Sequence, residues 1–206
     1  MTATHIALIA ISALCLPAPG WAQNDRWSPE ISAGVGLGHV FRFSDETFGD
    51  PLNAGAAVSI AHRSGVVVEF EVDRVFGLEP KPAPCGLVNR TCVGDGHYGP
   101  REATVASLGI HYRFKGDRLQ PFLFAGVGAL WTTSLHTTTY ANTNPAVMVE
   151  SESRDRGFGP DLGAGLRIRL SPHVAISPEI RWLEAGLLSR ENLSVTRLGV
   201  WTTYFW

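Results

Sequence analysis

The sequence has no long apolar run. No window of it approaches the roughly 18 to 20 consecutive apolar residues that a membrane helix requires, so any structure that spans a bilayer has to be built from strands. An excess of charge of either sign is absent too: 17 basic residues stand against 19 acidic ones, which removes the electrostatic signature of nucleic-acid binding. Cysteine is scarce, with three in the chain. Hydrophobic residues make up 45% of the chain, and the mean hydropathy of +0.06 is low for a helical membrane protein. A β-barrel hides its membrane character by interleaving apolar and polar residues, so this composition permits one.

What is present begins with Ile6 to Leu16, a short apolar run followed by Pro17, Pro19 and the small-residue site Gly20-Trp21-Ala22. It reads as a secretory signal cleaved after Ala22, although Met1 to His5 lacks the usual basic residue. Cys15 follows Leu14, where a lipoprotein signal wants a small residue, so it is not read as a lipidation site. Residues 23–206 are then one domain of about 180 residues.

Along that domain run eight alternating stretches, and side chains two apart share one face of a strand. They are about 30–43, 52–62, 66–76, 102–114, 120–133, 158–170, 174–183 and 196–206. In the third, Val66, Val68, Phe70, Val72 and Phe76 interleave with Val67, Glu69, Glu71, Asp73 and Val75. No bilayer face accepts three carboxylates, so the apolar row faces out. The sixth sets Leu162, Ala164, Leu166, Ile168 and Leu170 against Asp161, Gly163, Gly165, Arg167 and Arg169. Parity is less clear in the fifth, where Phe122, Phe124 and Leu130 oppose Leu123, Val127 and Trp131. In the seventh, Pro178 cannot donate a ladder hydrogen bond, and a bulge there is one remedy. Counting back from Trp206 in twos gives Tyr204, Thr202, Val200 and Leu198, an outward row that ends in aromatics.

Link lengths alternate. Short turns fall at 63–65, 115–118 and 171–173, and longer links at 44–51, 77–101, 136–157 and 184–192. Turns on one rim and loops on the other form the outer-membrane pattern, with both chain ends on the turn rim in the periplasm. Aromatics sort the same way. Trp206, Tyr204, Tyr112, Phe114 and Phe122 fall near the turn rim, and Trp131, Trp182, Phe76 and Phe41 near the loop rim, as two interfacial belts.

Nearly all of this domain resembles the small eight-stranded outer-membrane barrel proteins, the OmpA-like or OmpX-like transmembrane domain class. The stretch Gln120-Pro121-Phe122-Leu123-Phe124-Ala125-Gly126-Val127-Gly128, the alternating sixth strand and the aromatic end at Tyr204 and Trp206 carry the likeness. It implies an all-β fold, an eight-stranded antiparallel up-and-down transmembrane β-barrel in the outer membrane of a Gram-negative cell. Its partners would be outer-membrane lipid and the barrel-assembly machinery that reads the last strand. It does not name a function, because such barrels serve structural, adhesive, ligand-binding and enzymatic roles.

The strand parities place Arg42, Glu69, Glu71, Asp73, His111, Arg113, Arg167, Arg169, Glu179 and Arg181 inside. An eight-stranded barrel is barely wider than its own side chains, so these charges should pair and close the lumen; a narrow gated pore is the sharper alternative. Glu69, Glu71 and Asp73 project from one face and could share protons or a metal, but arginines opposite make them ion-pair partners, and no cofactor or metal is expected. His173, Ser177 and Glu179 contain the inventory of a barrel lipid-modifying enzyme, yet His173 sits on the turn rim, away from the outer leaflet. With Cys15 removed, Cys85 and Cys92 are an even pair in an oxidising compartment and are expected to form a disulfide; a metal site with His97 lacks a fourth ligand.

The reading is therefore a non-enzymatic outer-membrane barrel with a structural or surface-interaction role through its long loops, where an extracellular ligand or surface would bind. A soluble periplasmic barrel carrying an apolar ligand is the alternative, and it requires the opposite polarity, with Glu69, Glu71, Asp73, Arg167 and Arg169 outside.

Overall fold

A computed structural model describes residues 27–42, 46–47, 51–78, 81–83, 86–88, 91–93, 96–140, 147–186 and 193–206, with side chains described for 27–40, 51–78, 101–134, 151–186 and 193–206. Eight long strands dominate: β1 (Trp27–Arg42), β2 (Leu52–His62), β3 (Val66–Phe76), β4 (Gly96–Arg113), β5 (Leu119–Tyr140), β6 (Val147–Arg169), β7 (Val174–Glu184) and β8 (Leu193–Phe205). Each pairs antiparallel with its sequence neighbour, and β1 pairs with β8 from Glu30↔Phe205 to Arg42↔Leu193. The sheet is thus a closed all-antiparallel barrel, in which ring closure leaves no open edge between the first and last strands. Shorter ladders lie beside it: Glu46–Thr47 on β1, Lys81–Ala83 on β4, and Gly86–Val88 with Thr91–Val93. Among the described residues there is no helix.

The three short turns share one rim with the start of β1 and the end of β8. At the β2–β3 turn Gly65 donates to His62 O (2.9 Å) with φ +95, and a Cβ there would fall 2.3 Å from Arg113 O. Glycine is what that turn demands.

The opposite rim differs from the loops read from the sequence. The β5–β6 ladder runs unbroken from Leu119↔Ile168 to Tyr140↔Val147, so most of 136–157 is paired strand. β4 likewise begins at Gly96, within the stretch read as a link. A strand that has left the bilayer needs no apolar face, so the period-two signal fades although pairing continues. On the outer surface Trp131 and Phe158 are the last large apolar residues of this hairpin among the described side chains; Arg156 and Arg154 follow, exposed. Arg74 pairs with Glu102 on the outer face of β3 and β4, level with the same change of character.

Polarity is as the parities predict. Leu37, Val58, Phe70, Leu108, Leu123, Leu162, Ile180 and Leu198 are exposed on the outside, while Glu69, Glu71, Asp73 and Arg167 are buried within. Tyr112 with Phe114 and Tyr204 with Trp206 form T-shaped outer pairs near the turn rim, each with centroids 5.2 Å apart. Phe122 departs from its expected belt place: it is buried in the lumen, because its parity matches Phe124 and not Leu123. The Phe41 side chain lies outside the described residues. No bulge forms at Pro178. The β6–β7 ladder lapses at Leu166 and Arg167 and resumes at Ile168↔Ile176 in the same register. The one register shift in the β4–β5 ladder lies between Pro100 and Glu102.

Inside, bulk on one strand meets glycine on its neighbours. A Cβ on Gly34 would lie 2.4 Å from the Trp201 indole, and one on Gly109 would lie 2.5 Å from the Phe124 ring. The inward rows that the sequence shows as glycine are the space these rings occupy.

Candidate functional site

The candidate site is the lumen, and its charges are arranged in tiers. Nearest the turns, Glu30 of β1 accepts both ends of the Arg113 guanidinium (2.8 and 2.6 Å) and a third bond from Arg167 (2.8 Å). This bidentate, charge-assisted geometry ties β1 to β4 and β6. The Arg167 guanidinium also lies 4.7 Å from the Phe205 ring centroid.

In the middle tier Arg181 of β7 reaches Glu69 (2.5 Å), Glu71 (2.9 Å) and Glu179 (2.9 Å), with its guanidinium 4.0 Å over the Phe124 ring. His111 presents Nε2 to the same Glu69 oxygen at 2.9 Å, between the rings of Phe122 and Phe124. An ionised carboxylate only accepts, so that imidazole nitrogen carries the proton.

In the third tier Arg197 of β8 pairs with Glu71, Asp73 (3.3 Å) and Asp161 (3.0 Å). Ser107 donates to Asp161 (2.5 Å) and Asn53 to Asp73 (2.7 Å), which fixes both carboxylates. The two upper tiers hold five carboxylates, Glu69, Glu71, Asp73, Asp161 and Glu179, around two guanidiniums and one imidazole. Among the described residues, carboxylates outnumber cationic groups there.

Toward the loop rim the lining turns apolar. Val40, Val75, Leu78, Ala103, Val105, Leu130, Leu183, Ala185, Leu193 and Val195 form one buried cluster. Charged tiers and this mostly apolar layer, with Thr132 and Ser134 buried beside it, occupy the described lumen; the void among Glu69, His111, Arg181 and Trp201 is about 20 Å³, on the scale of one water.

No protein-family model matches the chain, and no curated protein does. Solved structures do. The Neisserial surface protein NspA superposes with a TM-score of 0.59 at 11% identity, covering 85% of this chain and 96% of that one. A major outer membrane protein of Thermus thermophilus gives 0.59 at 12% identity, covering 87% and 99%. Ail, the attachment invasion locus protein of Yersinia pestis, gives 0.56 at 11% identity, covering 88% and 99%. The fold is that of the small eight-stranded outer-membrane barrels.

Within this outer-membrane-type barrel, Glu69, Glu71, Asp73, His111, Arg113, Arg167, Glu179 and Arg181 all join the ion-pair network. Arg169 does not. It is the last residue of β6, exposed at the turn-side mouth with its guanidinium 5.6 Å from the Phe205 ring centroid, because its inward position lies beyond the enclosed lumen. The Arg42 side chain, Cys85 and the Cys92 side chain lie outside the described residues, as does the segment read as a signal. Tyr204 stacks on His173, whose Nδ1 is 3.1 Å from Phe205 O; Ser177 and Glu179 are buried in the lumen, so these three residues do not assemble.

Glu30, Asp161 and Arg197 were missed as site residues, although each has inward parity in its strand. So was the apolar plug. Val40, Leu130 and Leu183 share inward parity with the charges, which a strictly polar lumen does not predict.

Proposed function

We propose that this protein resides in the outer membrane of a Gram-negative cell as a closed, non-catalytic barrel whose working surface is the end opposite the turns. The observation that carries this reading is the inverted polarity: exposed Val58, Phe70, Leu108 and Leu198 outside, and buried, paired Glu71, Asp73, Asp161 and Arg197 inside. A soluble carrier of an apolar ligand needs the reverse. Among the described side chains the outer apolar belt reaches Trp131 and Phe158, and the β5–β6 ladder continues to Tyr140 and Val147, which gives the loop end a paired projection on which to meet another surface. The Cys85–Cys92 disulfide would staple a neighbouring loop, and the aromatic end of β8 is the segment we assign to the barrel-assembly machinery.

The test is fractionation with an unheated-against-boiled gel. Recovery in outer membranes with a heat-dependent mobility shift is expected; an unshifted periplasmic protein would overturn the reading. An epitope inserted within residues 141–146 should be accessible to antibody on intact cells. Planar bilayers containing the protein should show no discrete conductance.

A further inference from the structure

At the turn rim the barrel opens into a cavity of about 360 Å³ whose walls are strongly cationic. Arg63, Arg113, Lys115, Arg167 and Arg169 line it against a single carboxylate, Glu30. Glu30 is fully used: its two oxygens already accept three bonds from Arg113 and Arg167, so one negative charge serves two guanidiniums. Arg63, Lys115 and Arg169 are exposed and have no carboxylate partner among the described residues. Like charges converging on one concavity repel, and an anion seated among them removes that repulsion.

We infer that this mouth binds a phosphate-bearing anion. Four net positive charges call for a ligand with more than one negative charge and several acceptor oxygens. Guanidinium forks meet a phosphate face bidentately, while the lysine ammonium acts as a point charge. The cavity is blind: inward of the Glu30 tier the next void has room for about one water, so an anion entering it goes no further and leaves by the same mouth. Trp27 and Phe205 on the wall give an apolar surface for whatever the phosphate is attached to. The phosphate could be a free small molecule or the headgroup of a phospholipid in the adjoining leaflet.

The experiment uses the full barrel folded in a neutral detergent. Pyrophosphate is titrated while tryptophan fluorescence and heat are followed, and retention of phosphatidylglycerol is read by native mass spectrometry. The comparison protein is R63Q/K115Q/R169Q, three exposed positions outside the ion-pair floor, with folding verified by its heat-dependent gel shift. Saturable one-to-one pyrophosphate binding, weakened at least tenfold in the triple variant and by added salt, supports a free anion. One retained phosphatidylglycerol, lost in the triple variant, with no pyrophosphate binding, supports a headgroup. Binding of neither, or equal binding by the triple variant, overturns the inference. The orientation of the mouth toward the periplasm rests on the outer-membrane reading; the binding does not, so fractionation and titration fail separately.

Discussion

Arg197 on β8 and Asp161 on β6 meet at 3.0 Å across the lumen, although their strands are not neighbours in the sheet. Removing the guanidinium leaves Asp161 and Asp73 with no cation beside them and Glu71 with Arg181 alone. Arg197→Met is expected to cost about 3–5 kcal/mol, the scale of a broken buried pair, read as a lower urea midpoint for loss of the heat-shifted band. Arg197→Lys should recover only part of it, since one ammonium does not span three carboxylates.

Glu179 should behave in the opposite way. It shares Arg181 with Glu69 and Glu71, in a cluster with more carboxylates than cations. Glu179→Gln removes one of the surplus carboxylates and is expected to change stability by less than about 1 kcal/mol, whereas Arg181→Met should approach the Arg197 loss. Equal losses from both would show that the excess of carboxylates over cations is not felt.

How much of this was legible beforehand differs from residue to residue. Val66 to Phe76 could be assigned face by face because three carboxylates leave one choice of side. Glu30, Asp161 and Arg197 were not assigned to the network, although Asp161 was already visible opposite Leu162. Partners such as Arg113 for Glu30 join strands that do not pair, and the stagger that brings them level is absent from any local pattern. Inward Phe122 and Phe124 blurred the fifth strand because a barrel interior accepts rings wherever glycine faces them. The β5–β6 extension carries no period-two signal in the sequence, because a strand beyond the bilayer needs no apolar face.

The outer face gives a prediction that separates a membrane barrel from a soluble one. Phe70 is exposed near the middle of β3. Phe70→Arg should destabilise the folded barrel in lipid vesicles by about 2–4 kcal/mol, the cost of a cation near the bilayer midplane. A negligible effect on denaturant titration in vesicles would place that face in water.

Gly34 and Trp201 give the fourth. With 2.4 Å between the indole and a would-be Cβ, Gly34→Val is expected to cost about 1–3 kcal/mol through overpacking. Combining it with Trp201→Leu should recover part of the loss, and a double-mutant cycle measures how much. Strict additivity would mean that the two do not compete for space.

The apolar cluster at the loop end, from Val40 on β1 to Val195 on β8, has the hydroxyls of Thr132 and Ser134 buried beside it. Its consequence is directional. The buried arginines and carboxylates lie between this mostly apolar layer and the open turn-side mouth, so the described barrel resembles a cup with its charges nearer the brim than the base. Isotopic label is expected to reach those groups sooner from the turn end than from the loop end.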